Sequence, residues 1–180
     1  MNEELRHDVN VYLVDDDELH LKILKNKFYS STGYRLVTFT SGEDFLEYIL
    51  KKPINTRHYH IAILDYQMHS NNNNEAKNGI EILQLLKDIH PEFEVIMLSG
   101  ANDEDLAGKA IRLGATEFVK KNENSFTRIL NAISWIISNS DLKRKKFEYK
   151  IATSVFLGLL ATLSVSLAVL YFIFPEWFKI

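Results

Sequence analysis

The stretch Ile61-Ala62-Ile63-Leu64-Asp65 decides the fold, because four apolar residues run without alternation into a carboxylate. A short continuous apolar run is typical of a strand buried on both faces, as in a parallel sheet. Open sheets of this kind bind ligands in the crevice beyond the carboxyl ends of their strands. The sequence therefore predicts that Asp65 lies at a binding edge, although a simple turn residue is the commoner interpretation of one such Asp.

Similar apolar runs alternate with amphipathic segments along the first 140 residues. Strands are predicted at 9–14, 34–39, 61–64, 94–98 and 117–119. Helices are predicted at 18–31, at 79–89, at 103–113, at 125–137 and after the capping-box spacing Thr40-Ser41-Gly42-Glu43. Five strands alternating with five helices predict an α/β fold with a doubly wound, five-stranded parallel sheet.

The charge of the chain is unevenly distributed and limits the classes of partner. The net charge is −3, but residues 143–180 hold six of the 21 basic and two of the 24 acidic residues, which leaves the remainder at −7. An acidic main domain disfavours nucleic-acid binding, which needs a basic face. The absence of cysteine excludes disulfides and thiolate metal sites. The charged start, Met1-Asn2-Glu3-Glu4, lacks the apolar core of a signal peptide.

Polar side chains follow four of the five predicted strands and should meet at one edge. They are Asp15 and Asp16 after the first strand, Asp65 after the third, Ser99 after the fourth, and Lys120 or Lys121 after the fifth. Carboxylates without a counter-charge repel and raise one another's pKa, and a divalent cation such as Mg²⁺ resolves the repulsion. With a lysine and a hydroxyl for phosphoryl oxygens, the crevice suits phosphoryl chemistry, with Asp65 as a candidate nucleophile.

The motifs at these strand ends resemble those of the response-regulator receiver domain of two-component signalling. The resemblance extends over about residues 8–139, and the order and spacing of the set make it specific. It rests on Val14-Asp15-Asp16-Asp17, Leu64-Asp65-Tyr66-Gln67-Met68, Met97-Leu98-Ser99-Gly100 and Gly114-Ala115-Thr116-Glu117-Phe118-Val119-Lys120-Lys121. The resemblance implies a flavodoxin-like fold with strand order 2-1-3-4-5.

The resemblance also implies roles at the acidic end of the crevice. Asp65 corresponds to the phosphoacceptor, and Asp15 and Asp16 correspond to the acidic pair that binds Mg²⁺, with Asp16 as the more direct ligand. Gln67 would lend its backbone carbonyl to the metal. The family accepts and loses a phosphoryl group on its own chain, so the protein is not expected to be an enzyme in the usual sense.

Three further residues correspond to the switch of the family. Ser99 corresponds to the switch hydroxyl, and Phe118 to the aromatic residue that changes rotamer with it. Lys121 corresponds to the family lysine, because that lysine lies three residues after the aromatic residue. Lys120 is then expected to be a solvated neighbour.

The sequence departs from the family pattern in two places. His69 stands where the family usually has proline, and the loop between Asp65 and Gly79 is about six residues longer than usual. Asn122 replaces the proline that usually follows the lysine. Because a non-proline cis bond costs about 3 kcal/mol, the Lys121–Asn122 bond is expected to be trans.

A different kind of segment follows the predicted receiver. Residues 151–174 contain no charge and no proline, and a helix of this length spans about 36 Å, enough for a hydrocarbon core of about 30 Å. The basic run at 143–146 predicts that the preceding part stays cytoplasmic, with Trp177 near the far interface. The predicted organisation is a receiver domain at 1–141, a basic linker at 142–150, a transmembrane helix at 151–174 and a short tail at 175–180.

Small residues recur every four positions within the apolar segment, at Ser154, Gly158, Thr162 and Ser166. Such a stripe lets two helices approach closely in lipid and predicts a homodimer through the transmembrane helix. Chance recurrence of common residues is the simpler explanation.

Other candidate sites are weaker. His58 and His60 are candidate metal ligands, but solvated loop histidines are the preferred interpretation because no third ligand is near in sequence. A haloacid-dehalogenase-type phosphatase would need a second Asp two residues after Asp65, where Gln67 stands. The chain also lacks phosphate-binding and dinucleotide-binding glycine motifs.

Together these features predict a membrane-anchored single-domain response regulator that accepts a phosphoryl group on Asp65 from a histidine kinase or a phosphotransfer protein. Because no output domain is recognisable after the receiver, an unidentified output protein or a relay is expected downstream. The alternative is a membrane-tethered adaptor with a receiver fold that binds a partner without being phosphorylated.

Overall fold

The computed structural model describes residues 8–68, 77–100 and 104–173, except for the side chains of 143–145, 147, 148 and 167–173. Ten elements alternate along the described chain. They are β1 (Val9–Val14), α1 (Glu18–Ser31), β2 (Arg35–Phe39), α2 (Gly42–Lys51), β3 (Tyr59–Asp65), α3 (Gly79–Ile89), β4 (Glu94–Ser99), α4 (Glu104–Arg112), β5 (Glu117–Lys120) and α5 (Ser125–Ile173). The predicted alternation of strand and helix is confirmed.

The five strands form one parallel sheet in the order β2-β1-β3-β4-β5, which confirms the predicted topology. The register aligns the carboxyl ends of neighbouring strands, since Val14 pairs with Leu64, Asp65 with Leu98, and Ser99 with Lys120. Side chains that follow these strands therefore emerge at one edge.

The central strand β3 is buried along its whole length, as its unbroken apolar run predicts. Helices cover both faces of such a sheet and remove both sets of side chains from water. Ile61, Ile63 and Leu64 are at most 1% exposed. Full burial of each such side chain stabilises the fold by about 1.5–3 kcal/mol, so the strand carrying Asp65 is firmly held.

Histidine 60 lies inside the core, so the preferred interpretation of it as a solvated loop residue is wrong. β3 begins at Tyr59 rather than at Ile61, which draws His60 into the strand. Its Nδ1 lies 3.0 Å from the Tyr12 hydroxyl and its Nε2 lies 3.0 Å from the Asn55 carbonyl oxygen. Burial lowers the pKa of His60 and raises the pKa of Tyr12 to about 12. Both ring nitrogens therefore have structural partners.

The start of α2 differs from the predicted capping box. Ser41, not Thr40, is the N-cap, and its side chain accepts the Asp44 backbone N–H. The Glu43 carboxylate instead accepts the backbone N–H of Lys77, at 3.0 Å. A capping box does form at α3, where Asn78 and Glu81 satisfy each other's backbone N–H groups.

The sequence predicts that the last helix of the receiver ends at Ile137. In the structure, this helix, α5, continues to Ile173. The chain nevertheless forms two compact units, Met1–Ile136 and Ile137–Ile180. In the second unit, the window Tyr149–Ser166 is long and apolar enough to cross a membrane, judged by length and composition. Its side chains are exposed.

Two hydroxyl groups of the small-residue stripe bond within their own helix. Thr162 donates to the Leu159 carbonyl oxygen at 2.8 Å, and Ser166 donates to the Thr162 carbonyl oxygen at 2.8 Å. A Cβ added to Gly158 would meet no atom within 4 Å. Pairing of two tails through the small-residue stripe stays a prediction.

Glycine 79 lets the first turn of α3 lie directly against the backbone of Asp65. Its N–H donates to the Tyr66 carbonyl oxygen at 3.1 Å, and a Cβ built on it would lie 2.2 Å from the Asp65 carbonyl oxygen. No side chain fits at that separation without moving the strand end or the helix. Gly79 therefore helps to place Asp65.

We expect Gly79→Ala to lower the free energy of unfolding by about 1–3 kcal/mol, the usual cost of forcing atoms into a packed site. The matched control is Gly100→Ala, because the nearest atom to a Cβ there is the Gln67 side-chain oxygen at 3.9 Å. Urea unfolding of the full chain in detergent, followed by near-ultraviolet circular dichroism, compares the two variants. Equal stabilities would contradict the tight approach at Gly79.

Candidate functional site

The parallel ladder continues just past the strands and holds the backbone at the carboxyl edge. Asp15 donates its N–H to the Phe39 carbonyl oxygen at 3.1 Å, and Lys121 donates to the Ser99 carbonyl oxygen at 2.8 Å. Asp15 directly follows β1, Asp65 ends β3, and Lys121 directly follows β5. The sheet thus brings together residues that are up to 106 positions apart in sequence.

Three carboxylates cluster at this edge. One oxygen of each of Asp15, Asp16 and Asp65 lies within 4.8 Å of the other two. Asp15 and Asp65 are buried, at 2% and 4% exposure, while Asp16 is half-buried. The Asp65 Oδ1 atom is buried and accepts no hydrogen bond within the described part of the chain. A buried carboxylate oxygen without a donor is costly, and it marks the place where a ligand would contribute most.

The ammonium group of Lys121 joins two of these carboxylates. Its Nζ lies 2.8 Å from Asp15 Oδ2 and 2.9 Å from Asp65 Oδ2. Burial would lower the pKa of Lys121, but hydrogen bonds and attraction from Asp15 and Asp65 outweigh it and raise the pKa. Lys121 therefore stays charged and partly neutralises the cluster.

The pKa values of the two buried carboxylates are shifted in opposite directions. Burial raises the pKa of Asp65, and the charge of Asp15 adds to the effect, while Lys121 and the Gln67 backbone N–H offset part of it. Burial would also raise the pKa of Asp15, but hydrogen bonds from His20, Lys121 and the Asp17 backbone N–H outweigh it and lower that pKa. Asp15 is thus held as an anion, whereas Asp65 lacks comparable support.

Histidine 20 belongs to the site and was missed by the sequence analysis. Its Nδ1 lies 2.6 Å from Asp15 Oδ2. The residue stands in the first turn of α1, where Asp17 caps the helix and accepts the backbone N–H groups of Leu19 and His20. The sequence did contain a signal for this role, since His20 is a polar residue in the first turn of the helix that follows the acidic pair.

The remaining predicted residues lie along the same edge. Ser99 is fully buried at the end of β4, and Phe118 is half-buried and packs against the core. Gln67 is exposed two residues after Asp65. Lys120 is half-buried in β5, opposite Ser99. The Lys121–Asn122 bond is trans, as expected, while His69 lies outside the described residues.

The donor set fits a hard divalent cation. Carboxylate oxygens are the protein ligands that Mg²⁺ prefers, and three of them converge here beside one lysine charge. Within the described residues, Asp65 Oδ1 accepts no hydrogen bond and is therefore open to a ligand. The site can therefore hold a cation and present a carboxylate to an electrophile.

The sequence matches the family described as response regulator receiver domain over residues 11–134. The chain therefore belongs to the receiver domain family of two-component response regulators.

Curated relatives carry the same domain within longer chains. The chain is 28% identical over 141 residues to the transcriptional regulatory protein MalR of Bacillus subtilis, covering 78% of this chain and 53% of MalR. It is 29% identical to the photosynthetic apparatus regulatory protein RegA of Cereibacter sphaeroides, covering 72% of this chain and 65% of RegA. The first such relatives are thus matched over only about half of their length.

Solved structures share the fold. The beryllofluoride-activated DrrB receiver domain superposes with a TM-score of 0.57 at 27% identity, covering 72% of this chain and 97% of that domain. The receiver domain of a LuxO repressor protein from Vibrio parahaemolyticus gives a TM-score of 0.61 at 20% identity, covering 74% and 93%. The latter similarity supports the fold alone.

Opposite pKa shifts predict opposite effects of two similar substitutions on stability. For Asp65, the raised pKa means that its contribution to stability is present at low pH and is lost as the pH rises through the folded-state pKa. For Asp15, the lowered pKa means that stability is present above the unfolded-state pKa and is lost as the pH falls through the folded-state pKa. At pH 7 without divalent cations, Asp65→Asn should stabilise the protein and Asp15→Asn should destabilise it.

We expect each change to be about 1 kcal/mol or more, the usual effect of a buried polar group. The measurement is urea unfolding of the full chain in detergent with a chelator present. Shifts of the same sign for the two variants would contradict the assignment.

Proposed function

We propose that Asp65 accepts a phosphoryl group from a histidine kinase or a phosphotransfer protein. The observation that supports this most is the buried Asp65 Oδ1, which has no donor among the residues that the structure describes, beside an Oδ2 held by Lys121. A carboxylate oxygen attacks phosphorus as the P–N bond of the phosphohistidine donor breaks. The imidazole nitrogen keeps the electron pair and takes up a proton, and an acyl phosphate forms on Asp65.

Asp15, Asp16 and Asp65 would hold Mg²⁺, together with the backbone carbonyl of Gln67. The bound cation would neutralise the carboxylates and the charge that develops on the phosphoryl oxygens. The close approach of three carboxylate oxygens supports this assignment. Lys121 would then orient the phosphoryl group, because its ammonium already contacts the Asp65 carboxylate.

Ser99 and Phe118 form the proposed switch. Ser99 is buried at the end of the strand beside β3, where its hydroxyl would bond a phosphoryl oxygen on Asp65. Phe118 stands on β5 opposite Met97 and would change rotamer with the movement of Ser99. Phosphorylation of Asp65 would thereby signal to an output protein. Attack of water on phosphorus would later break the acyl phosphate P–O bond, release inorganic phosphate and restore the Asp65 carboxylate.

Phosphorylation is tested on the full chain with acetyl phosphate and Mg²⁺ and read by intact mass. We expect one phosphoryl group in the wild type, none in Asp65→Asn, and none when a chelator removes the cation. The matched control is Asp88→Asn, since Asp88 is exposed on α3. An unmodified wild type, or modification that persists in Asp65→Asn, would favour the unphosphorylated adaptor.

We also propose that α5 anchors the receiver in a membrane as a single-pass C-terminal helix, with the receiver in the cytoplasm. The apolar window Tyr149–Ser166 supports this, and the basic run at 143–146 precedes it. The proposed division is the receiver at 1–141, a juxtamembrane linker at 142–150, the spanning segment at 151–174 and a tail at 175–180.

Carbonate washing of membranes that carry the full chain tests the anchor. The wild type should stay in the pellet, and the pair Leu159→Lys and Leu160→Lys should release it, since each lysine at a helix centre costs about 2.5–3.5 kcal/mol on insertion. Leu142→Lys lies outside the proposed span and serves as the control. A wild type that washes off would refute insertion.

A further inference from the structure

The side chain of His20 makes a short contact to an acidic residue of the proposed cation site. Its Nδ1 lies 2.6 Å from Asp15 Oδ2, and the two side chains are 23% and 3% exposed. A carboxylate can only accept hydrogen bonds, so the Nδ1 atom carries the proton and donates it. The contact is thus a directed hydrogen bond to a buried anion.

The hydrogen bonds to Asp15 divide unequally between its two oxygens. Oδ2 accepts from His20 and from Lys121, whose Nζ lies at 2.8 Å. Oδ1 accepts the Asp17 backbone N–H at 2.9 Å. Because each carboxylate oxygen has two lone pairs, the described contacts fill Oδ2 and leave one lone pair on Oδ1. That lone pair remains available to bind a divalent cation, either directly or through a water molecule bound to the cation.

Lys121 alone does not fix the orientation of the Asp15 carboxylate, because its ammonium group also binds Asp65. Its Nζ lies 2.9 Å from Asp65 Oδ2, and any ligand that draws the ammonium towards Asp65 weakens its hold on Asp15. A buried carboxylate that loses a cationic partner is strongly destabilised. His20 has no such second partner in the described structure, so its bond to Asp15 does not depend on the state of Asp65.

We propose that His20 is a positioning residue for Asp15, which fixes the carboxylate independently of Lys121 and thereby prepares the acidic cluster for a divalent cation. The inference rests on the cation binding in the proposed function. A purely local role in the helix is a weaker explanation, because Asp17 caps α1 through the backbone N–H groups of Leu19 and His20. Replacing the imidazole leaves those backbone bonds in place.

The test measures Mn²⁺ affinity by electron paramagnetic resonance, with Mg²⁺ as competitor, on the full chain in phosphatidylcholine nanodiscs. Loss of a hydrogen bond that orients a metal ligand usually weakens affinity 10–100-fold. We expect His20→Ala to bind about tenfold more weakly than the wild type. His20→Asn should stay within about threefold, because its amide nitrogen can occupy the place of Nδ1 and donate the same bond.

The matched control is His90→Ala, which removes a histidine that also contacts a carboxylate, Glu92 at 3.1 Å, before the amino end of β4. We expect wild-type affinity in this control. Wild-type affinity in His20→Ala, equal weakening in His20→Asn, or a wild type that binds no Mn²⁺ would each overturn the proposal.

The result is separable from the phosphorylation test. A His20→Ala variant that binds Mn²⁺ like a phosphorylatable wild type refutes the role of His20 alone. A cation affinity that falls in His20→Ala, in a protein whose Asp65 accepts no phosphoryl group, refutes phosphorylation alone.

Discussion

The ammonium group of Lys121, held between the buried carboxylates of Asp15 and Asp65, is the interaction on which the site depends. Burial of two carboxylates at one edge without a cation would cost several kcal/mol for each. Lys121 offsets this cost. It follows β5, which is separated from β1 by β3 and β4. The site therefore exists only when all the central strands are in register.

The same arrangement gives the carboxylates of Asp15 and Asp65 different surroundings. Asp15 receives donors on both oxygens and is held as an anion, whereas Asp65 has a raised pKa and one oxygen without a donor in the described part of the chain. Pairs of titratable groups with opposed environments are a common sign of distinct chemical roles. Here the contrast suits one carboxylate as a fixed ligand and the other as the group that reacts.

The sheet and most site residues could be predicted from the sequence because their signals are local. The unbroken run before Asp65 indicates a buried strand, and the acidic pair directly follows another. His20 could not be found this way, since its partnership with Asp15 depends on how the first turn of α1 folds over the strand end. The burial of His60 likewise depends on partners from β1 and from the loop before β3.

Tertiary contacts also overrode one plausible local pattern. The spacing of Thr40 and Glu43 favours a capping box, but the Glu43 carboxylate bonds to the Lys77 backbone instead. Side chains near helix starts choose among several backbone N–H groups, and sequence spacing reveals only those on the same helix. The length of α5 was missed for a related reason, because the charged residues at 142–150 are compatible with either a linker or a helix.

Two hydrogen bonds and one close approach join the start of α3 to the strand end that carries Asp65 and to α2. Gly79 donates its backbone N–H to the Tyr66 carbonyl oxygen, and Lys77 donates its backbone N–H to the Glu43 carboxylate on α2. The space between Gly79 and the Asp65 backbone is too small for a side chain. Because closely packed atoms transmit displacement, a shift of the Asp65 backbone would also move the first turn of α3, and this helix would carry the movement away from the sheet edge.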